Sequence, residues 1–279
     1  MSTPTIGRLR VDGATLHYEV RGEGPPLLLI PGGAGGAASF DGVADALAAD
    51  YTVASYDPRG LSRSPLDDPQ ARQQVAQHAD DAFRLLELLS PDAPARVVGC
   101  SSGAIVALHM LTVRPERIER VVAHEPPVVE VLPDAAEHRA LLARVQETLR
   151  RDGLMPAVAE FAAGLRRPGA DPVPAQAATE LPPQARARAE RTMANMPYFL
   201  GRIVPSFMAY VPDLDRLETL SDRLVLAAGT DSHGELPYRP AAFLAERFGT
   251  ELVHFPGGHT GLTTHPAEFG DLLRKVLTT

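Results

Sequence analysis

The chain has 279 residues, 44% hydrophobic and 22% charged, the proportions of an ordinary folded globule rather than of a disordered tail or a fibre. Its 27 Lys and Arg against 35 Asp and Glu leave a net charge of -8, which argues against a nucleic-acid partner. No stretch approaches the ~18 uninterrupted apolar residues of a membrane span, and the N-terminal MSTPTIGRLRVDG has no apolar leader region, so a cytoplasmic protein free of membrane is expected. One cysteine makes neither an internal disulfide nor a thiolate metal cage.

Leu9 to Glu19 alternates in polarity around Asp12-Gly13, the pattern of a hairpin with a tight polar turn. Leu27-Leu28-Leu29-Ile30 is a continuous apolar run ending at Pro31-Gly32-Gly33, as expected of a strand buried on both faces of a parallel sheet. Similar runs recur at 51–56, 96–98, 120–123, 224–228 and 251–255. Helical patterns lie between them, at Ala79 to Leu89, Gly103 to Thr112 and Pro240 to Phe248. Strands alternating with helices predict an α/β fold with a mostly parallel sheet covered on both faces and antiparallel strands at one edge.

The alternation breaks between about Pro133 and Pro212. Helical patterns at Ala135 to Arg151, Pro156 to Gly164 and Pro183 to Met196 flank a Pro-rich joint, Arg167 to Pro174. A structureless loop of this length is improbable in a compact domain. Residues 133–212 are therefore expected to form a helical cap inserted into a core of 1–132 and 213–279. Met193, Tyr198, Phe199 and Phe207 are candidates to face a substrate beneath it, with Met196, Met208 and Tyr210 as further apolar residues of the same stretch.

Val97-Val98-Gly99-Cys100-Ser101-Ser102-Gly103 matches G-x-S-x-G at a strand-to-helix transition, where a strained turn holds a serine hydroxyl clear of the sheet. Ser101 is the candidate nucleophile. Cys100, at the position that tucks against the sheet, reads as packing, and Ser102 as a backbone amide donor to an oxyanion. A second donor is expected from the glycine-rich loop Gly32 to Gly36. Read as a phosphate cradle, Gly33 to Ala38 resembles G-x-G-x-x-A, but no acid follows at the spacing a ribose needs.

A serine hydroxyl needs a base. His259, in Pro256-Gly257-Gly258-His259-Thr260 after the last strand, is placed to provide one, with His265 as the fallback. Two acids could orient it: Asp231 after the penultimate strand, and Glu125 in His124-Glu125-Pro126-Pro127. The usual glycine-x-x-acid spacing would put Ser232, not Asp231, at the acid position, while a strand-terminal glutamate is costly unless paired.

These motifs resemble the α/β-hydrolase family over nearly the whole chain, and within it the zearalenone lactonase group. Tyr56 to Ser64 is similar to the family's D-x-R-G-x-G-x-S loop, with Ser62 in place of the second glycine. The G-C-S-S-G elbow, the H-E-x-P strand end, the P-G-x-H loop and Thr264-His265-Pro266 resemble the lactonase group. The resemblance implies an α/β-hydrolase fold with a helical cap, Glu125 as the acid, Gly33 and Ser102 as the oxyanion donors, and no metal or organic cofactor. That group uses a cap tryptophan against its aromatic macrolide, and this sequence has no tryptophan. The expected activity is serine-dependent cleavage of a small-molecule carboxylic ester or lactone. A cyclase or C–C hydrolase on the same fold, and a ligand sensor with a vestigial triad, are the alternatives. The oligomeric state is left open, a homodimer included.

Overall fold

A computed structural model describes residues 3–167 and 182–278. Eight strands, β1 (Thr5–Val11), β2 (Ala14–Arg21), β3 (Pro26–Ile30), β4 (Thr52–Tyr56), β5 (Ala95–Cys100), β6 (Ile118–His124), β7 (Leu224–Gly229) and β8 (Leu252–Phe255), form one sheet in the order β1-β2-β4-β3-β5-β6-β7-β8. β2 pairs antiparallel with both β1 and β4, so the hairpin occupies one edge, and β3 to β8 are parallel. Asp12-Gly13 is the hairpin turn, with Val11 opposite Ala14 and Gly13 at φ +70°. The chain steps outward from β3 to β4 and then back across to β5. The carboxyl ends of β3 and β5 are therefore the topological switch point, where open parallel sheets bind ligands.

The helices are α1 (Asp41–Leu47), α2 (Val75–Leu89), α3 (Ser102–Val113), α4 (Ala135–Arg151), α5 (Leu154–Leu165), α6 (Pro183–Tyr198), α7 (Val204–Phe207), α8 (Leu214–Thr219), α9 (Tyr238–Phe248), α10 (Gly261–Thr264) and α11 (Pro266–Thr278). The continuous apolar runs exist because both sheet faces are covered. Leu28 and Ile30 pack with Val97, Val121 and residues of α2, α3 and α9. Leu27 and Leu29 pack on the opposite face with Val98, Val122, Val43 of α1 and Phe269 of α11.

Between β6 and β7 the chain forms α4 to α8, with a π-helical turn, Phe199–Ile203, after Pro197. Leu141, Val145, Phe161 and Leu200 from this stretch join the same buried cluster as the α3 side of the sheet. The Pro-rich joint lies outside the described residues from 168 onward. Among the described residues no helix is long and apolar enough to cross a membrane.

Candidate active site

β5 runs straight into α3 through Ser101, which has φ +52° and ψ -121°. This left-handed conformation is costly for a residue with a side chain and persists only where its surroundings enforce it. Two glycines make the enforcement sterically achievable. A Cβ on Gly103 would collide with the Ile30 carbonyl, and one on Gly99 would collide with the Gly103 backbone, so α3 seats closely on β3 and β5 only with hydrogens there. The Ser101 amide donates to the His124 carbonyl at 2.8 Å, tying the turn to the end of β6.

His259 follows β8, and its Nε2 lies 3.2 Å from Ser101 Oγ. Its Nδ1 lies 2.6 Å from Glu125 Oε2. Glu125 is fully buried just beyond β6, at φ +48°, with its amide donating to Ala227 O at 2.9 Å. Its second oxygen accepts the Gly229 amide at 2.8 Å and the Ser232 hydroxyl. Burial pushes the carboxyl up, but the hydrogen bond and charge of His259, with His124 and Ser232, outweigh it and hold the group below its ordinary value. Glu125 is thus kept ionised in an interior where an unpaired carboxylate would neutralise.

Asp231 is exposed, and its amide donates to Gly257 O at 2.9 Å. Ser232, at the position where acid spacing would place a carboxylate, faces inward and donates to Glu125 instead. Spacing alone pointed to Ser232; only the geometry shows its partner. His265 is exposed beside Thr264, and His254 bonds Tyr238 at 3.0 Å. Cys100 lines the cavity floor next to Ser101, but burial, with the Glu125 charge, pushes its thiol up to about 12. A thiol so protonated is a weak nucleophile.

Gly33, at φ +59° in the loop after β3, donates its amide to Ser102 Oγ at 2.9 Å. The two residues expected to bind an oxyanion are therefore adjacent, and the Ser102 hydroxyl occupies the Gly33 amide. The loop is braced at Ala37, whose amide donates to Asp57 at 2.9 Å.

A cavity of about 590 Å³ opens above Ser101 and His259. Met193, Phe199 and Phe207 line it, together with Met196, Met208 and Phe161. Tyr198 and Tyr210 do not. On α6, positions 185, 188, 189, 192, 193 and 196 share the cavity face; Asn195 and Tyr198, three apart, fall on the side that meets the 57–64 loop. The Tyr198 ring packs against Gly60, where a Cβ would strike it. Tyr210 bonds His109 at 2.9 Å beside α3.

Asn195 was not legible in the sequence. Its Nδ2 donates to Ala34 O and to Ser62 Oγ, both at 2.8 Å, and its Oδ1 accepts the Ser62 amide at 2.8 Å. Ser62, standing where the family loop has glycine, sits at φ +50°. Asn195 satisfies both its amide and its hydroxyl, which accounts for a serine in a conformation glycine usually takes.

A family model of the alpha/beta hydrolase fold matches residues 25–157. Over 276 residues the chain is 36% identical to the uncharacterized hydrolase YraK of Bacillus subtilis, across 97% of this chain and 95% of that protein. A zearalenone hydrolase of Bionectria ochroleuca is 34% identical over 118 residues, 42% of this chain and 45% of that protein. Among solved structures, a thermophilic esterase from Thermogutta terrifontis superposes with a TM-score of 0.74 at 19% identity, over 99% of this chain and 98% of that one. Its sheet order, its strained serine turn and a 36% identical hydrolase spanning nearly its full length place the chain in the α/β-hydrolase superfamily.

Proposed function

We propose that the chain is a serine hydrolase of carboxylic esters or lactones that works through an acyl-enzyme on Ser101. The observation that carries this reading is the run of hydrogen-bond contacts from Ser101 Oγ through His259 to the buried Glu125, at the floor of a mostly apolar cavity. His259 Nε2 takes the Ser101 proton as Oγ attacks the carbonyl carbon, and Glu125 stabilises the resulting imidazolium and fixes the ring. The amides of Gly33 and Ser102 hold the oxyanion, which requires the Gly33 amide to exchange its present Ser102 Oγ partner for the substrate oxygen. The imidazolium then protonates the departing alkoxide. In a lactone that alcohol stays tethered to the acyl group. Water, deprotonated by the same imidazole, attacks the acyl-enzyme and releases the acid.

The 133–212 stretch acts in this reading as a cap whose methionines and phenylalanines shape the acyl or alcohol site. The partial zearalenone hydrolase likeness and the esterase-like fold support an ester or lactone, and an apolar cavity of this volume suits a ligand of moderate size. Ser101→Ala, checked for an unchanged fold by circular dichroism, is expected to lose turnover of p-nitrophenyl esters and of lactones by several powers of ten. Near-native turnover by that variant would sink the assignment.

A further inference from the structure

Apart from the reacting end at Ser101, Ser102 and His259, with Thr260 and Thr263 next to it, the cavity wall is apolar except at one corner. There Arg188 and Thr192, one turn apart on α6, meet Ser39 beside the Ala34 backbone. The same four residues also line a small adjoining cleft that runs on to Asp57 and Ser62. Arg188 is the one arginine or lysine lining the main cavity among the described residues, and no carboxylate lines it.

Arg191, on the same helix, is exposed and lines the adjoining cleft but not the cavity; the arginines of β2 and of the 57–64 loop are engaged. Arg21 pairs with Glu19 and Asp41, Arg59 with Asp81, and Arg63 with Asp57 and Glu19. Arg188 makes no hydrogen bond or ion pair with any described residue; it feels Asp41 electrostatically, but that carboxylate is already held by Arg21 at 3.1 Å. Asp57, across the cleft, is held by Arg63 and by the Ala37 amide. A half-buried guanidinium stays charged at any physiological pH, and beside an apolar wall it is costly unless it finds an anion.

We infer that Arg188 is a carboxylate anchor, so that the substrate is an ester or lactone carrying a free carboxylate remote from its scissile carbonyl. This rests on the serine-hydrolase reading above. Within the cavity Arg188 is the one guanidinium, with the Thr192 hydroxyl beside it, which matches a carboxylate taking a planar two-point contact from arginine; a phosphate dianion there would leave charge uncompensated. The carboxylate lies against Arg188 and Thr192, and the chain between it and the reacting carbonyl lies along the apolar wall. The class includes half-esters of dicarboxylic acids and lactones bearing a side-chain acid.

The test pairs p-nitrophenyl half-esters of glutaric to suberic acid with neutral p-nitrophenyl alkanoates of matched length, for the native protein, Arg188→Gln and Arg188→Lys. The native protein is expected to favour one half-ester length over its neutral match. Arg188→Gln should cut that preference ratio ~10–100-fold, the worth of a hydrogen-bonded charge pair, mainly through KM; Arg188→Lys should restore part of it. A ratio that does not move with Arg188→Gln overturns the anchor. Binding of the non-chromogenic monomethyl half-ester to Ser101→Ala and to Ser101→Ala/Arg188→Gln, by calorimetry, reads the same anchor without turnover. Equal affinities there also overturn it. If no ester is cleaved but binding depends on Arg188, the hydrolase reading fails and the anchor stands.

Discussion

Ser232 donates its hydroxyl to the carboxylate of Glu125, the group that His259 meets on the opposite oxygen. The carboxylate that meets His259 thus arrives from the end of β6, and the position after β7 supplies a hydrogen bond to it. Three donors, the Gly229 amide, the Ser232 hydroxyl and the His259 ring, converge on one buried carboxylate.

Glu125→Gln is expected to lower kcat by about 10³–10⁴, since an amide oxygen no longer stabilises an imidazolium. Asp231→Asn should stay close to native turnover. Removing the Ser232 donor by Ser232→Ala should cost ~10-fold in kcat and shift the acid limb of the kcat/KM profile upward, because Ser232 helps to hold the Glu125 carboxyl down. A severe loss in Asp231→Asn with little in Glu125→Gln would reverse the assignment of the acid.

The Gly33 amide is engaged by Ser102 Oγ, so binding a substrate carbonyl there means breaking a hydrogen bond. Ser102→Ala keeps the backbone amide of residue 102 and removes that competitor. A rise in kcat/KM of up to ~5-fold is expected, the worth of one neutral hydrogen bond. A fall of ~10²–10³ would instead identify the hydroxyl itself as an oxyanion donor.

Asn195 joins α6 to the loop after β3 through Ala34 and to the 57–64 loop through Ser62. Asn195→Ala leaves the Ser62 amide and hydroxyl and the Ala34 carbonyl without their partner. A stability loss of ~1–3 kcal/mol in urea unfolding is expected, together with a lower kcat, since Ala34 follows the Gly33 donor directly. Unchanged stability and turnover would mean that water replaces the side chain at no cost.

His78 and His124 make the fold acid-sensitive above the carboxylate range. Burial, with Arg59 repelling the proton, drives His78 down to about 3. Burial takes His124 down to about 4 against the attraction of Glu125, with His259 adding to the lowering. Both folded-state values lie below the ordinary 6.5, so the unfolded chain binds these protons first. Their stabilisation is complete above about pH 6.5 and declines as pH falls, at ~1.4 kcal/mol per pH unit for each histidine between its two values. Urea unfolding from pH 7 to 4.5 should show that decline, and His78→Gln should flatten it by ~1.4 kcal/mol per unit. An unaltered slope would mean that His78 titrates freely in the native state.

Much of the fold was legible because burial on both faces leaves a mark in the chain: the Leu27 to Ile30 run reads as β3 since each side chain enters one of two opposed cores. The Ser101 turn was legible because Gly99 and Gly103 are demanded by backbone approach. The carboxylate partner of His259 was ambiguous in the sequence, since Asp231 and Glu125 both precede it, and in the structure Glu125 hydrogen-bonds the ring while Asp231 is exposed. Tyr198 was misplaced for a related reason. Aromatic content marks a residue as apolar, but its direction around α6 decides between the cavity and Gly60. Asn195 and Arg188 left no pattern at all, because the partners of Asn195 come from distant loops and the place of Arg188 in the cavity wall is set by the direction it takes around α6.

Ser101 and His259 stand 158 positions apart, and Glu125 and His259 134 apart. Contacts of such separation form late and slowly, because closing the intervening chain costs entropy before any native contact repays it. During synthesis Ser101 therefore emerges long before His259, and the Ser101–His259–Glu125 contacts close only when β8 pairs with β7 and delivers the loop that carries His259. Under the proposed mechanism, turnover is then a report on completed folding: a chain with β8 undocked leaves Ser101 without the imidazole that its proton transfer needs.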